Sequence, residues 1–430
     1  MGDELFDDVD RRGTPDEAGL PRFETANRTQ VELTPTDLEG LLPPGHMARL
    51  VWRFVEGLDL TRFYAGIKAR EGGVGRTPID PKILVALWLY ATIDGVGSAR
   101  EVDRLCYAHD AYRWIRGGVS VNYHTLSDFR VAHQAAVDDL LTQSIATLRH
   151  RGIVTLARVA QDGTRVRASA GVGSFRREGT LRERLQEARK LVERTARQQA
   201  GGPDRAAAAQ ARAAAEGLAR VEEALAQLPE VAAAKARNHS RSAPRTSTTD
   251  PDARILKMSD GGFRPAYNVQ VATDVDSHAI VGVAVSAVGS DQRQLVPMLD
   301  QVERRVGRPT TWLADGGYMT YAAIDATARR AITLLLPVPR APGTGTPIGP
   351  QPTDSPAVAA WRTRMQSVEA KTVYRIRGAT AERVHAEGKT ARTLHGLGLR
   401  GVGKVHTWVL WFALAHNLLR TMPIVPHLMT

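Results

Sequence analysis

The chain has 430 residues, of which 43% are hydrophobic and 24% charged, so it is long enough for two or three domains and has the composition of a soluble globular protein. Its 57 Lys and Arg residues exceed its 46 Asp and Glu residues, and the resulting formal charge of +11 favours polyanions, above all nucleic acid, as partners. The single cysteine, Cys106, excludes an intrachain disulfide and a cysteine zinc cluster.

The two ends of the sequence predict neither export nor membrane insertion. The first residues, MGDELFDDVDRRG, are polar and acidic, unlike a signal peptide. Near the other end, the apolar run at residues 408–419 is interrupted by His416 and Asn417 and is too short to span a bilayer. We therefore expect a cytoplasmic protein in a reducing setting, without membrane contact. Residues 1–35 lack a periodic apolar pattern and are expected to form a flexible polar arm.

Residues 36–150 are predicted to be entirely helical. Asp80 followed by Pro81 is a typical helix start, and Ser98 with Glu101 forms a capping box. We expect one helix from Ser98 to the glycine pair at residues 117–118 and another over residues 123–151. The pattern indicates a compact helical N-terminal domain.

Residues 151–425 predict a different, α/β domain. Strands are expected at residues 153–164, 267–273, 279–287, 310–318 and 331–339, with helices between the later ones. Residues 180–236 are rich in Ala, Glu, Arg and Leu with helical spacing, and a Gly-Gly-Pro sequence divides them. The fold class is therefore a mixed sheet flanked by helices, with a helical-hairpin insertion at residues 180–236.

Three carboxylates stand out by their positions. Asp162 and Asp315 are each followed by glycine at the predicted end of a strand, where ligands of α/β sheets gather, and Glu382 lies on a later helix. A set of carboxylates without a cysteine or histidine cluster suits Mg²⁺ or Mn²⁺ rather than zinc. Two such ions could activate a water or a 3′-hydroxyl and stabilise the leaving oxygen of a phosphodiester.

The stretch at residues 374–389, YRIRGATAERVHAEGK, carries charged side chains at helical intervals. Glu382 and Lys389 are seven residues apart and share one face of the helix, with Tyr374 and Arg377 upstream. Such a face is more often solvated than functional, and an Asp-Gly pair after a strand is usually only a turn. Taken singly, these residues leave both interpretations open.

Taken together and in order, the same residues resemble the DDE transposases of bacterial insertion sequences, which have a ribonuclease H-like core. Residues 77–118 and the segment NYHTLSDFR are similar to the family's helical N-terminal domain. Further similar segments are QDGTRVRASA, PAYNVQVATD, LADGGY and RGVGKVHTWVLWFALAHNLLR. Tyr374, Arg377, Glu382 and Lys389 match the family's tyrosine–arginine–glutamate–lysine signature, with the family's spacing of six residues before the lysine.

The resemblance implies an activity and a role for each matching residue. Asp162, Asp315 and Glu382 would be catalytic and would bind two Mg²⁺ or Mn²⁺ ions. Tyr374, Arg377 and Lys389 would bind DNA. The N-terminal domain would bind terminal inverted repeats, and the protein would cleave the ends of the element and transfer them to target DNA, as at least a dimer when active.

The chain also departs from the family pattern, and three other functions stay open. Arg383, Val384 and His385 replace an expected proline and aromatic residue, and Gly388 should weaken its helix by about 1 kcal/mol relative to alanine. The alternatives are an inactive or repurposed DNA-binding protein, a ribonuclease H-like nuclease acting on RNA or branched DNA, and a helical scaffold built on residues 180–236.

Overall fold

A computed structural model describes residues 37–67, 77–199, 205–237, 242–392, 394 and 396–421, together with residues 28, 29, 31, 69 and 239. The arm predicted at residues 1–35 lies outside the described residues except for 28, 29 and 31. None of the helices in the described part of the chain is long and apolar enough to cross a bilayer.

The described residues up to His150 form helices and turns but no strand. The seven helices are α1 (Met47–Glu56), α2 (Thr61–Tyr64), α3 (Pro81–Ile93), α4 (Ala99–Ala108), α5 (Asp110–Arg116), α6 (Tyr123–Ala132) and α7 (Gln134–His150). Helix α3 begins as predicted, with the Asp80 side chain accepting a hydrogen bond from the Lys82 amide, and it is buried on nearly every side.

Two helices that the sequence predicts as continuous are each divided by a histidine. His109 has extended backbone (φ −131°, ψ 127°), and its ring accepts a hydrogen bond from the Ala111 amide, so it ends α4 and caps α5. His133 (φ −113°, ψ 40°) separates α6 from α7 in the same way, although its side chain makes no capping hydrogen bond. Apolar periodicity continues across both breaks, which explains the wrong prediction.

The predicted mixed α/β architecture is confirmed. The main sheet has the strands β1 (Arg158–Arg167), β4 (Arg254–Lys257), β5 (Phe263–Asp274), β6 (Ile280–Ser286), β7 (Thr311–Leu313) and β8 (Thr333–Leu335), while β2 (Phe175–Arg176) and β3 (Thr246–Ser247) form a separate pair. The strand order of the main sheet is β4-β5-β1-β7-β8, and β6 also pairs with β5. Strand β1 is antiparallel to β5 and parallel to β7. It therefore lies at the centre of the sheet.

The boundaries of several strands differ from the prediction. The sequence predicts the first strand at residues 153–164, with a bend after Asp162, but β1 spans Arg158–Arg167, because Gly163 stays in register opposite Gln270 instead of bending the chain. Strands β2, β3 and β4 are additional to the five strands that the sequence predicts. Strands β7 and β8 pair over only three residues each, so they are shorter than their apolar runs.

In the described residues after β2 there are eight further α-helices. They are α8 (Glu178–Gln199), α9 (Arg205–Ala226), α10 (Leu228–Arg237), α11 (Leu295–Val306), α12 (Tyr321–Arg329), α13 (Pro356–Arg364), α14 (Val368–Ala391) and α15 (Val402–Thr421). Helices α8 and α9 pack against each other in the predicted insertion, around a small core of their own. Helix α14 contains the whole charged stretch at residues 374–389 and begins six residues before Tyr374.

One hydrophobic core joins the N-terminal helices to the sheet. Helix α15, the last described element, packs against α3, α7 and β6. At the centre of this contact the buried rings of Trp88 and Trp408 meet edge to face, with centroids 6.1 Å apart. A domain boundary at residue 150 stays a prediction, because in the described residues the main core extends across that position.

Candidate active site

Strands β1 and β7 bring two predicted site residues together. In their parallel register Ala160 lies opposite Leu313, and two further residues along the same direction lead to Asp162 and Asp315. Asp315 is the second residue after the end of β7. Its side chain accepts a hydrogen bond from the Gly317 amide at 2.8 Å. Burial raises the pKa of both carboxyl groups, and the Asp162 charge raises the pKa of Asp315 further.

Helix α14 places Arg377 against this pair. The Arg377 Nη1 atom lies 3.2 Å from Asp162 Oδ2, and the guanidinium carbon is 5.8 Å from the centre of the Tyr374 ring. Burial lowers the pKa of Arg377, but its interactions with Asp162, Tyr374 and Asp315 outweigh burial, so the net shift is upward. The structure thus gathers Asp162, Asp315, Arg377 and Tyr374 in one place.

The remaining two predicted residues lie further round the same helix. Glu382 is exposed, and it is displaced from Arg377 by about 140° around the helix axis. Lys389 is partly buried, and burial together with the nearby Arg165 lowers its pKa. Among the described residues, no three His, Cys, Asp or Glu side chains converge closely enough to hold a metal ion. Glu382 therefore stands apart from the two aspartates in this structure.

His385 faces Asp162 and was not among the predicted site residues. Its Nε2 atom lies 3.9 Å from Asp162 Oδ2, is buried, and has no hydrogen-bond partner in the described part of the chain. Burial, helped by Lys389 and Arg377, lowers the pKa of His385 to about 4, so its ring is neutral at neutral pH. At about 100° per residue His385 lies about 80° around the helix from Arg377 and about 60° from Glu382, so helical spacing alone gave no clear signal for it.

Asp291, in the segment between β6 and α11, is a second residue that the sequence did not indicate. Its Oδ1 atom accepts hydrogen bonds from Asn268 Nδ2 and Gln270 Nε2, both at 2.7 Å, and its Oδ2 atom lies 3.5 Å from Arg165. The Asp291 charge contributes to the raised pKa values of both Asp162 and Asp315. Two buried amides on an otherwise apolar strand, Asn268 and Gln270, were the only signal for it.

Gly163 leaves the room that this polar group occupies. A Cβ atom at that position would lie 2.8 Å from Asp291 Oδ1 and 2.9 Å from Asn268 Oδ1. Either distance is below normal van der Waals contact, so a larger residue would displace the amides. The glycine after Asp162 therefore serves close packing and does not turn the chain.

Behind the site, a second carboxylate fastens α14 to α15. Glu387 Oε2 lies 3.2 Å from His416 Nδ1 and 3.0 Å from Arg420 Nη2. Burial alone would raise the pKa of Glu387, but His416 and Arg420 lower it to about 2. Glu387 therefore holds α14 against α15, while Arg377 and His385 on other sides of the helix face Asp162.

Two family models match this chain. One, described as a transposase DDE domain, matches residues 239–418, which include Asp291, Asp315 and Glu382 but not Asp162. The other, described as a transposase domain (DUF772), matches residues 36–132, within the N-terminal helices. No curated protein and no solved structure matches the chain.

Proposed function

The chain belongs to the DDE-type transposases of insertion sequences, and from that premise we propose that it cuts the ends of a mobile element and joins them to target DNA. The observation that carries the proposal is that the half-buried Asp162 and Asp315 occupy equivalent positions along the parallel strands β1 and β7, with Arg377 beside Asp162. Two like charges at neighbouring strand positions are costly without a cation, so the arrangement is typical of a site selected for chemistry and not for stability.

The sheet supports the proposal of a ribonuclease H-like core. An antiparallel group of β6, β5 and β1 is followed by the parallel strands β7 and β8, with the first aspartate on β1 and the second after β7. We assign residues 151–425 to this catalytic region, residues 180–236 to an insertion, and residues 36–150 to binding of the terminal inverted repeats.

DDE transposases use divalent metal ions, and the donors here fit that use in part. Asp162 and Asp315 offer carboxylate oxygens, the ligands preferred by Mg²⁺ and Mn²⁺. Beside them, the buried Nε2 atom of His385 has no hydrogen-bond partner among the described residues, so it could bond to a water or another ligand of a bound ion. We assign Glu382 as the third ligand, and propose two ions. When bound, such ions supply activation of a water or a 3′-hydroxyl and neutralise charge at the phosphodiester.

The other residues act on the DNA strand itself. Arg377 is held by Asp162 and Tyr374 where a phosphate near the cleaved bond would lie, and Lys389 with Arg165 extends the positive surface along β1. Two element ends must be brought together, so we propose a dimer in the active complex. We place the reaction in the cytoplasm, in keeping with a buried and free Cys106.

The test is cleavage of a labelled element end in the presence of Mg²⁺ or Mn²⁺. We expect Asp162→Ala, Asp315→Ala and Glu382→Ala to lose cutting and keep end binding. Glu369→Ala, which changes an exposed glutamate in the first turn of α14, is the matched control and should cut normally. An Asp162→Ala protein that cuts at the wild-type rate would refute the assignment.

A repurposed DNA-binding protein is the second candidate, and the exposed position of Glu382 favours it. In that case the unaltered protein binds an end but cuts it with neither ion. Short inverted repeats immediately outside the gene would instead support an active element.

A further inference from the structure

A cavity that the proposed catalytic residues do not line opens between the N-terminal helices and the turn after α14. Its volume is about 570 Å³, within the usual range for ligand sites. Residues from both parts of the chain line it, among them Ser98, Arg100, Tyr123, His124, Arg130 and Gly398.

Arg130, in the wall of this cavity, is a buried cation without an acidic partner. Its side chain is 9% exposed, and within the described residues it forms no ion pair with a carboxylate. Its guanidinium carbon lies 4.8 Å from the Trp88 ring centre and 5.5 Å from that of Trp408. One terminal nitrogen donates to the Gly97 carbonyl, and Nε has no hydrogen-bond partner in the part of the chain that the structure describes. Burial lowers its pKa to about 10, so it stays charged at neutral pH. The two rings offset only part of the cost of burying this charge, and a bound anion would neutralise it.

The cavity mouth adds features that suit a nucleotide. Helix α4 begins there, and the free amides of its first turn, after the Ser98 cap, form a positive helix end. Arg100 is exposed and lies 5.1 Å from the Tyr123 ring centre, while the His124 ring lies 3.9 Å from the same ring. Asp128 is the one carboxylate among the lining residues, and it is exposed. Cationic groups beside a flat aromatic surface match a phosphate and a base.

The cavity also continues the positive strip of the candidate active site. Arg167, at the end of β1, pairs with Gly396 in the cavity wall, five residues beyond Asp162 on the same strand. That interval corresponds to about 17 Å of strand. Gly95, just before the cavity, approaches the end of α14 so closely that a Cβ there would lie 2.7 Å from the Ala391 carbonyl oxygen. Arg165 lies between Asp162 and Arg167 on β1, and it is near enough to Lys389 to lower the pKa of that side chain.

We propose that this cavity binds one nucleotide of the DNA strand that also passes the aspartates. Its phosphate lies against Arg100, Arg130 and the start of α4, and its base stacks on Tyr123. At about 3.4 Å per nucleotide along one strand, the bound nucleotide is roughly five or more positions from the phosphodiester at Asp162. The inference rests on the proposed function, because it requires a DNA substrate.

The test is equilibrium binding of a fluorescent element end in EDTA, over a series of salt concentrations, so that no cutting is involved. Arg100→Ala should weaken binding about tenfold and reduce the slope of log K against log salt by about 0.9, the value for one lost phosphate contact. Tyr123→Ala should also weaken binding about tenfold, with an unchanged slope, because stacking carries no charge. Arg104→Ala is the control, since this exposed arginine on the same helix pairs with Glu101 and lies outside the cavity lining.

Equal affinity and equal slope for Arg100→Ala and Arg104→Ala would overturn the proposal. A parallel melting series with inorganic phosphate separates the possible sources of the anion. If phosphate stabilises the wild type but not Arg100→Ala, while DNA binding is the same for both, the cavity takes a small anion and the DNA inference is wrong. If the wild type never cuts DNA but the slopes differ as expected, the nucleotide site stands and the catalytic proposal fails alone.

Discussion

Replacing Glu387 with glutamine removes the charge that fastens α14 to α15. The carboxylate contacts His416 at 3.2 Å and Arg420 at 3.0 Å, and its side chain is only 14% exposed. These partners lower the pKa of Glu387 from 4.5 to about 2 in spite of its burial. At about 1.4 kcal/mol per pKa unit, the ionised side chain contributes about 3 kcal/mol to the free energy of unfolding.

The sign of this contribution fixes its pH dependence. Because the pKa is lower in the folded protein than in the unfolded chain, the stabilisation is complete above pH 4.5 and is lost as the pH falls towards 2. Denaturant unfolding at pH 7 should therefore show Glu387→Gln about 3 kcal/mol less stable than the wild type. The difference should shrink as unfolding is repeated at lower pH within that window.

The matched control is Glu193→Gln, which changes an exposed glutamate on α8. It should leave the free energy of unfolding within about 0.5 kcal/mol of the wild type. If Glu387→Gln were as stable as this control at pH 7, or if its deficit did not change between pH 7 and pH 3, the electrostatic explanation of the α14–α15 contact would be refuted.

Two further substitutions test packing at the site and in the shared core. Gly163→Ala should lower the free energy of unfolding by about 1–3 kcal/mol and reduce end cleavage, because the new methyl group would meet Asp291. The control Gly171→Ala has open space around the new methyl group and should change neither stability nor cleavage. Normal cleavage by Gly163→Ala would contradict this explanation. Trp88→Ala should lower the free energy of unfolding by about 3–5 kcal/mol, because it removes a ring from the shared core. The protein should still melt in a single transition, at a lower temperature, since Trp88 and Trp408 belong to one core. Separate melting of the N-terminal helices in calorimetry would show that the cores are independent.

The sequence was sufficient for the features that depend on local patterns. Alternating apolar residues predicted strands where β5 and β6 lie, and Asp80 followed by Pro81 predicted the start of α3. The sequence predicted Asp162 and Asp315 near the ends of two strands, where ligands gather, and the parallel register of β1 and β7 does bring them to equivalent positions, although β1 continues past Asp162. Their catalytic role, like that of Glu382, stays a prediction.

What the sequence could not supply depends on distant contacts. In the sequence Gly163 resembled a turn signal. In the structure a glycine is required there because Asp291, more than a hundred residues later in the sequence, approaches it closely. Asp291 itself stands in a segment without periodicity. His385 reaches Asp162 only because α14 is rotated to face β1, and helical periodicity alone does not fix such a rotation.

The rotation of α14 bears directly on how Glu382 could join the aspartates. Gly388 is buried so close to α15 that a Cβ would lie 3.1 Å from Phe412, so this glycine permits close packing and is more than a weak point in the helix. Turning the helix by the roughly 140° that separates Glu382 from Arg377 would break that packing, the Glu387 contacts and the pair between Arg377 and Asp162. A new rotamer of one exposed glutamate costs at most about 2 kcal/mol, less than the contribution of Glu387 alone. We therefore expect Glu382 to approach the aspartates by reorienting its side chain, while the backbone of α14 stays in place.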